Sequence, residues 1–193
     1  ASAAPDFPAR VTERVPAPFV LHATVPEGMV ALDIPDGELT VTYRLRETGL
    51  YGETPYVDEW KPLPPRLHQI ATMTRPLSAH RIAMARHEVT NTQFAQFLAE
   101  TGYAPVRSER FLAHWKNGAP LPGTENDPVT HIELDDARAY AAWAGLRLPT
   151  EDEWQVAAQQ GLLNRAEPLI WNLTESEHRD GRTRFSILKG GCA

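Results

Sequence analysis

Every strong helix signal in this sequence falls between residues 90 and 161, and β-rich stretches lie on both sides of that region. This order restricts the fold more than any single motif does. The stretch RLPTEDEWQVAAQQG, residues 147 to 161, shows how such a signal is built. Thr150 and Glu153 have the T-x-x-E spacing of a capping box, in which side chains and backbone at a helix start bond reciprocally. Glu151, Asp152 and Glu153 place negative charge in the first turn, where exposed N–H groups favour it. Trp154, Ala157 and Ala158 share one face, and Gly161 stands where a left-handed residue ends a helix. The pattern predicts a helix over 151–160. TNTQFAQFLAETG predicts a second over 91–101, with Thr90 and Gln93 as its box and Phe94, Phe97 and Leu98 on one face. LDDARAYAAWAG predicts a third over 134–144, with acids in its first turn and Gly145 at its stop.

Before these helices, MVALDI and LTVTYRL are β-rich runs separated by the turn signal Pro-Asp-Gly. HQIATMTRPLSAHRIAMARHEVT reads as one or two further strands. After Gly161, LIWNLTESE and RFSILKGG flank a turn at HRDGRT. Strands, then helices, then strands predict an α+β fold. The 17 prolines cluster before residue 76 and between 105 and 128, so those regions read as loops and short strands. RETGLYGETPYVDEWKPLPPR reads as irregular surface. Residues 1–18, rich in Pro and Ala, read as an arm or linker. The long loop between the first two helices is a candidate carrier of function or packing.

A net charge of −6 without any run of Lys or Arg argues against a nucleic-acid surface. No apolar run is long enough for a membrane span, and no signal peptide is visible. The reading is of a soluble chain, with cytoplasmic and exported locations both open. The single cysteine, Cys192, rules out an intrachain disulfide. Arg147 reads as the partner of an acid or a loop carbonyl, and Glu133, Asp135 and Asp136 as charges at a helix start. His87 and His131 read as structural.

Taken together, several segments resemble the formylglycine-generating enzymes, also called sulfatase-modifying factor domains. They are PEGMVALDIPDGELTV, HEVTNTQFAQFLAETGY, DPVTHIELDDARAYAAWAGLRLPTEDEWQVAAQQG, IWNLTESE and ILKGGC. The resemblance implies a C-type-lectin-like variant fold over residues 19–193: a small antiparallel sheet, about three helices and extensive loops. Trp143, Trp154, Tyr140 and Phe97 are then expected in the core, because capped helices and tryptophans must fix a loop-rich frame. Active members of the family resemble copper-dependent oxidases with two cysteines after a Gly-Gly-Ser strand, and soft thiolates suit Cu(I). Here Cys192 falls on the serine position. The family's last strand and Gly-Phe-Arg ending are not among these residues, so the domain reads as a degenerate or truncated member.

The family's calcium-binding loop is short here, and Pro168-Leu169 replace a Gly-Asn pair that helps hold calcium. Neither side chain offers an oxygen to a hard cation. Asn172 and Leu173 stand where the family has Glu and Trp. The expectation is therefore no metal in this chain, with copper or calcium only if family sites are restored beyond Ala193. The function expected is a non-catalytic binding or interdomain module. Its partners would be other domains of a longer chain or a polar ligand. The alternative is a metal-dependent oxidoreductase of the formylglycine-generating or sulfoxide-synthase type, acting on a thiol. The family's cleft maps to Trp171, Asn172, Glu175, His178, Arg182 and Cys192. Their mix of aromatic, amide, charged and imidazole groups suits a polar ligand. Trp171, His178 and Arg182 are expected to line one concavity.

Overall fold

The computed structural model describes residues 22–45, 69–179 and 184–191. The proposed arm at 1–18, the irregular stretch at 46–66 and the tip of the HRDGRT turn lie outside the described residues. The chain divides into two compact units, one of Asp33–His80 and one of the remainder.

Within Asp33–His80, β2 (Gly37–Leu45) runs antiparallel to β3 (Gln69–Leu77), in register from Gly37 opposite Leu77 to Leu45 opposite Gln69. The two faces follow the period of two. Leu39 and Val41 are buried. On the other face Thr40 meets Thr74 at 3.3 Å and Thr42 meets Thr72 at 3.2 Å, hydroxyl to hydroxyl. Asp36 Oδ1 accepts from the Ala79 N–H at 2.9 Å and ties the two ends of the ribbon together.

β1 (Met29–Ile34) pairs with β4 (His80–Ala85), not with β2. The opening strands therefore do not form a hairpin, although only Pro35 and Asp36 separate them. Tight hairpin turns of two residues need positive φ at their first position, and proline fixes φ near −65°.

The helices stand where their local chemistry puts them. α1 spans Asn91–Thr101, α2 Leu134–Trp143 and α3 Glu151–Gln159. Thr90 Oγ1 accepts from the Gln93 N–H at 3.2 Å, and Gln93 Oε1 accepts from the Thr90 N–H at 2.9 Å. The same box closes α3, with Thr150 Oγ1 accepting from the Glu153 N–H at 3.2 Å and Glu153 Oε2 from the Thr150 N–H at 2.7 Å. Gly102 ends α1 at φ 62° and Gly161 follows α3 at φ 67°, a conformation costly for any side chain with a Cβ. The second and third helices stop one residue short of the sequence expectation. β5 (Asn172–Arg179) and β6 (Arg184–Lys189) close the chain as an antiparallel pair, with an irregularity between Leu173 and Glu177.

Phe94 and Phe97 of α1 are buried, with ring centroids 5.3 Å apart. Tyr140 of α2 stacks on Phe94 at 5.7 Å, and Trp143 lies 5.7 Å from Phe97. Leu112 and Val129, from the long loop, complete this cluster. Asn91 anchors the loop from inside the core at 1% exposure. Its Nδ2 donates to the Thr124 carbonyl at 2.8 Å, and its Oδ1 accepts from Trp115 Nε1 at 2.8 Å and meets His114 Nε2 at 3.0 Å. The loop thus supplies core and hydrogen bonds to α1, which is why it can be long without a secondary structure of its own.

Candidate functional site

The region singled out by the resemblance begins where the chain leaves α3 and enters β5. Arg165 is its hub. Nη1 donates to the Gly190 carbonyl at 3.0 Å, and Nη2 donates to the carbonyls of Ile170 at 2.5 Å and Gly191 at 3.4 Å. Its guanidinium lies 5.6 Å from the Trp154 ring centroid. Its Nε stands 3.6 Å from Glu88 Oε1, a charge contact too long for a hydrogen bond. Glycine is favoured at 190: φ is 97°, and a Cβ would lie 2.5 Å from Arg165 Nη2, so the guanidinium would have to shift.

Glu88 extends the network. Its Oε2 accepts from the Ala166 N–H at 3.2 Å and its Oε1 from Asn172 Nδ2 at 3.4 Å. Asn172 Oδ1 in turn accepts from Trp154 Nε1 at 2.9 Å. Three residues on, Glu175 receives Arg138 of α2 through Nη2 at 2.9 Å and Nε at 3.2 Å. The Glu175 N–H donates to the Pro149 carbonyl at 2.8 Å. Arg147 grips Glu153 with both terminal nitrogens, at 2.7 and 2.6 Å, and also reaches the Leu148 carbonyl at 3.1 Å.

Of the six residues assigned to the cleft, Asn172 and Glu175 are bound within the domain by these contacts. Trp171 is 52% exposed, and a Cβ on Gly191 would approach its ring at 3.9 Å. His178 lies on β5 opposite Phe185 in register. Arg182 and Cys192 lie outside the described residues, so the concavity expected between Trp171, His178 and Arg182 does too. Of the expected core set, Phe97, Tyr140 and Trp143 share one ring cluster. Trp154, 8% exposed, is buried in the separate Arg165–Asn172 network. Sequence reasoning missed Arg165, Glu88 and Arg138. The one signal for Arg165 was a lone cation in LLNRAEPLI, before an apolar run.

A second concave region was legible only as a long loop. A cavity of about 360 Å³ opens at the start of α2, lined by loop residues including Arg107, Arg110 and His131 together with Glu133 and Asp136. Asp136 is buried, its Oδ1 accepting from the Tyr103 hydroxyl at 2.8 Å and its Oδ2 from the Glu133 N–H at 2.7 Å. Behind the rim, His114 stacks on His131 with centroids 5.2 Å apart. Burial, and then the neighbouring His131, hold the His114 imidazole below its usual pKa.

Burial, followed by the bonded Asp136 carboxylate, pushes the Tyr103 phenol up to about 12. The folded value lies above the ordinary ~10 of an unfolded tyrosine. The contribution of the neutral phenol to stability is therefore complete below pH ~10 and is lost as pH rises through the folded value. Alkaline titration followed by tyrosinate absorbance is expected to show a late step near pH 12 that Tyr103→Phe removes. Tyr103 ionising near the unfolded value would contradict the Asp136 bond.

The architecture is that of an α+β domain whose buried core lies mostly on strands and capped helices, with Leu112 and Val129 added from the long loop. The family model described as the sulfatase-modifying factor enzyme 1-like domain matches residues 28–190. The chain belongs to that family. A formylglycine-generating enzyme of Thermomonospora curvata is 36% identical over 140 residues, covering 54% of this chain and 45% of its own length. The inactive C-alpha-formylglycine-generating enzyme 2 of Bos taurus is 56% identical over 66 residues, covering 34% of this chain and 21% of its own. Hercynine oxygenase of Mycobacterium tuberculosis is 36% identical over 97 residues, covering 38% and 22% respectively. The chain thus spans less than half the length of these curated relatives. No helix among the described residues is long and apolar enough to cross a membrane.

The donor sets implied by the resemblance do not fit the residues present. One cysteine in 193 residues cannot supply two thiolates to copper. At the calcium position Pro168 and Leu169 bring no side-chain oxygen, and the Asn172 oxygen already takes the Trp154 indole N–H.

Proposed function

We propose that this chain is a non-catalytic sulfatase-modifying factor domain that serves as a binding or interdomain module. One observation carries the reading. Where the family's cleft maps, Asn172 and Glu175 are bound to Trp154, Glu88 and Arg138, so these polar groups hold the frame rather than face a substrate. The exposed Trp171 beside them offers an aromatic contact to a partner. The Pro168-Leu169 pair supports the same reading, as does similarity to a relative named as inactive. In this reading residues 1–18 are an arm or linker and 19–193 the domain. The partner is another domain of a longer chain or a polar ligand, met through Trp171, His178, Arg182 and Cys192, with Asn172 and Glu175 holding that frame in place.

The names of two other relatives, a formylglycine-generating enzyme and an oxygenase, favour a second reading as a metal-dependent oxidoreductase acting on a thiol. Turnover separates the two. The purified protein is given Cu(I), dioxygen and a cysteine-containing peptide, and the peptide is followed by intact mass. The module reading expects an unchanged peptide relative to a protein-free control. Copper-dependent consumption of the cysteine above that control would overturn it.

A further inference from the structure

We propose that the cavity at the start of α2 is a binding site for a small zwitterion, an α-amino acid with an apolar side chain. The inference concerns different residues from the reading above and does not rest on it. At about 360 Å³ the cavity lies at the small end of ligand sites. Its charges come in opposed pairs. Arg110 and Glu109 both line it, and among the described residues neither side chain is held by an ion pair or a hydrogen bond. Arg107 and Glu133 face each other at 3.8 Å, both largely exposed, a contact too loose to fix either group. Asp136 is not available to a ligand, because its two oxygens are taken by Tyr103 and the Glu133 N–H.

A ligand with one charge gains little here. An anion attracted to the guanidinium groups meets Glu109 and Glu133, and a cation meets the two arginines. A ligand with a carboxylate and an ammonium group satisfies both signs at once. Phe111 and Ile132 give its side chain an apolar surface.

The rim is built rather than incidental. His131 and Leu112 both have positive φ, 56° and 50°, and the Leu112 N–H donates to the His131 carbonyl at 2.9 Å. Such conformations persist only where surrounding contacts hold them, and they cluster at ligand sites. Leu112 is held by the core and the His131 ring by its stack on His114.

The test is titration of the full chain with L-leucine, followed by calorimetry or by NMR shifts at Ile132. The same carbon skeleton with one charge is supplied by 4-methylpentanoate and by isopentylamine. Saturable leucine binding is expected, with each single-charge analogue weaker by about tenfold or more, about 1.4 kcal/mol. Arg110→Gln and Glu109→Gln are each expected to weaken leucine by about tenfold, while thermal melting stays unchanged because both side chains are exposed. The proposal is overturned if leucine gives no saturable binding, if either analogue matches it, or if both variants bind it as the parent does.

Discussion

Trp154→Ala is expected to lower the stability of the domain by about 3–5 kcal/mol, the range for truncating a large buried aromatic. The ring is 8% exposed, its Nε1 donates to Asn172 Oδ1 at 2.9 Å, and two cations lie near its centroid, Arg165 at 5.6 Å and Lys189 at 5.8 Å. Truncation opens a cavity and leaves the Asn172 oxygen without its donor. It also removes the aromatic face beside the guanidinium that holds three backbone carbonyls. Two further effects then add to the lost packing: the unmet polar group and the loosened Arg165. Chemical denaturation with an unchanged m-value reads the loss directly. A loss below about 1 kcal/mol would mean that the ring is not a buried anchor.

Arg147→Met is expected to cost a similar amount, about 3–5 kcal/mol, because it removes one member of a buried ion pair and leaves the other charge in place. The Glu153 side chain is only 3% exposed, and Arg147 approaches it at 2.6 and 2.7 Å. The hydrogen bonds that Arg147 donates to Glu153 push its pKa up against the opposing effect of burial, so the guanidinium stays charged in the pair. Glu153 also receives the Thr150 N–H, so it cannot turn out to water without opening the cap of α3. The double variant Arg147→Met with Glu153→Gln should recover part of the loss, since the stranded charge is gone. Lysine at 147 should recover less than the charge alone suggests, because it lacks the two-pronged fork. A single-variant loss under about 1 kcal/mol would place the pair among screened surface contacts.

What could be read from the sequence was the chemistry of near neighbours. Thr90 with Gln93, Thr150 with Glu153, and the glycines at 102 and 161 specify helix ends within a few residues, and the helices stand there. The α+β class followed from the order of these segments, and the family from the density of matched positions in the central block. Strand partners were harder to read, because pairing is decided across distance. β1 and β2 are neighbours in sequence but pair with β4 and β3. Pro35 carried a usable warning, since its fixed φ does not suit the tight turn a direct hairpin needs.

The candidate site was legible as an address but not as a network. Asn172 and Glu175 could be located, yet their partners Glu88, Trp154 and Arg138 come from 84, 18 and 37 residues away. The two tryptophans show the same limit. Helical periodicity placed Trp154 on an apolar face, and both Trp143 and Trp154 were expected in the core, but their surroundings differ. Trp143 meets Phe97 and Tyr140, whereas Trp154 meets an arginine and an asparagine. The cavity at the start of α2 was legible only as a long loop, since no local motif announces that Leu112 and His131 adopt left-handed conformations there.

The central claim is that Asn172 and Glu175, polar residues that the resemblance assigned to a cleft, hold this domain together. Equilibrium denaturation of Asn172→Ala tests it most directly. The side chain bridges Trp154 Nε1 and Glu88 Oε1, so its loss strands a buried indole N–H at a cost of about 1–3 kcal/mol. The account predicts that loss in the ligand-free protein, and predicts that it shrinks when Trp154 is already alanine. An Asn172→Ala protein as stable as the parent, within about 0.5 kcal/mol, would contradict it and return Asn172 to the role of a ligand-facing group.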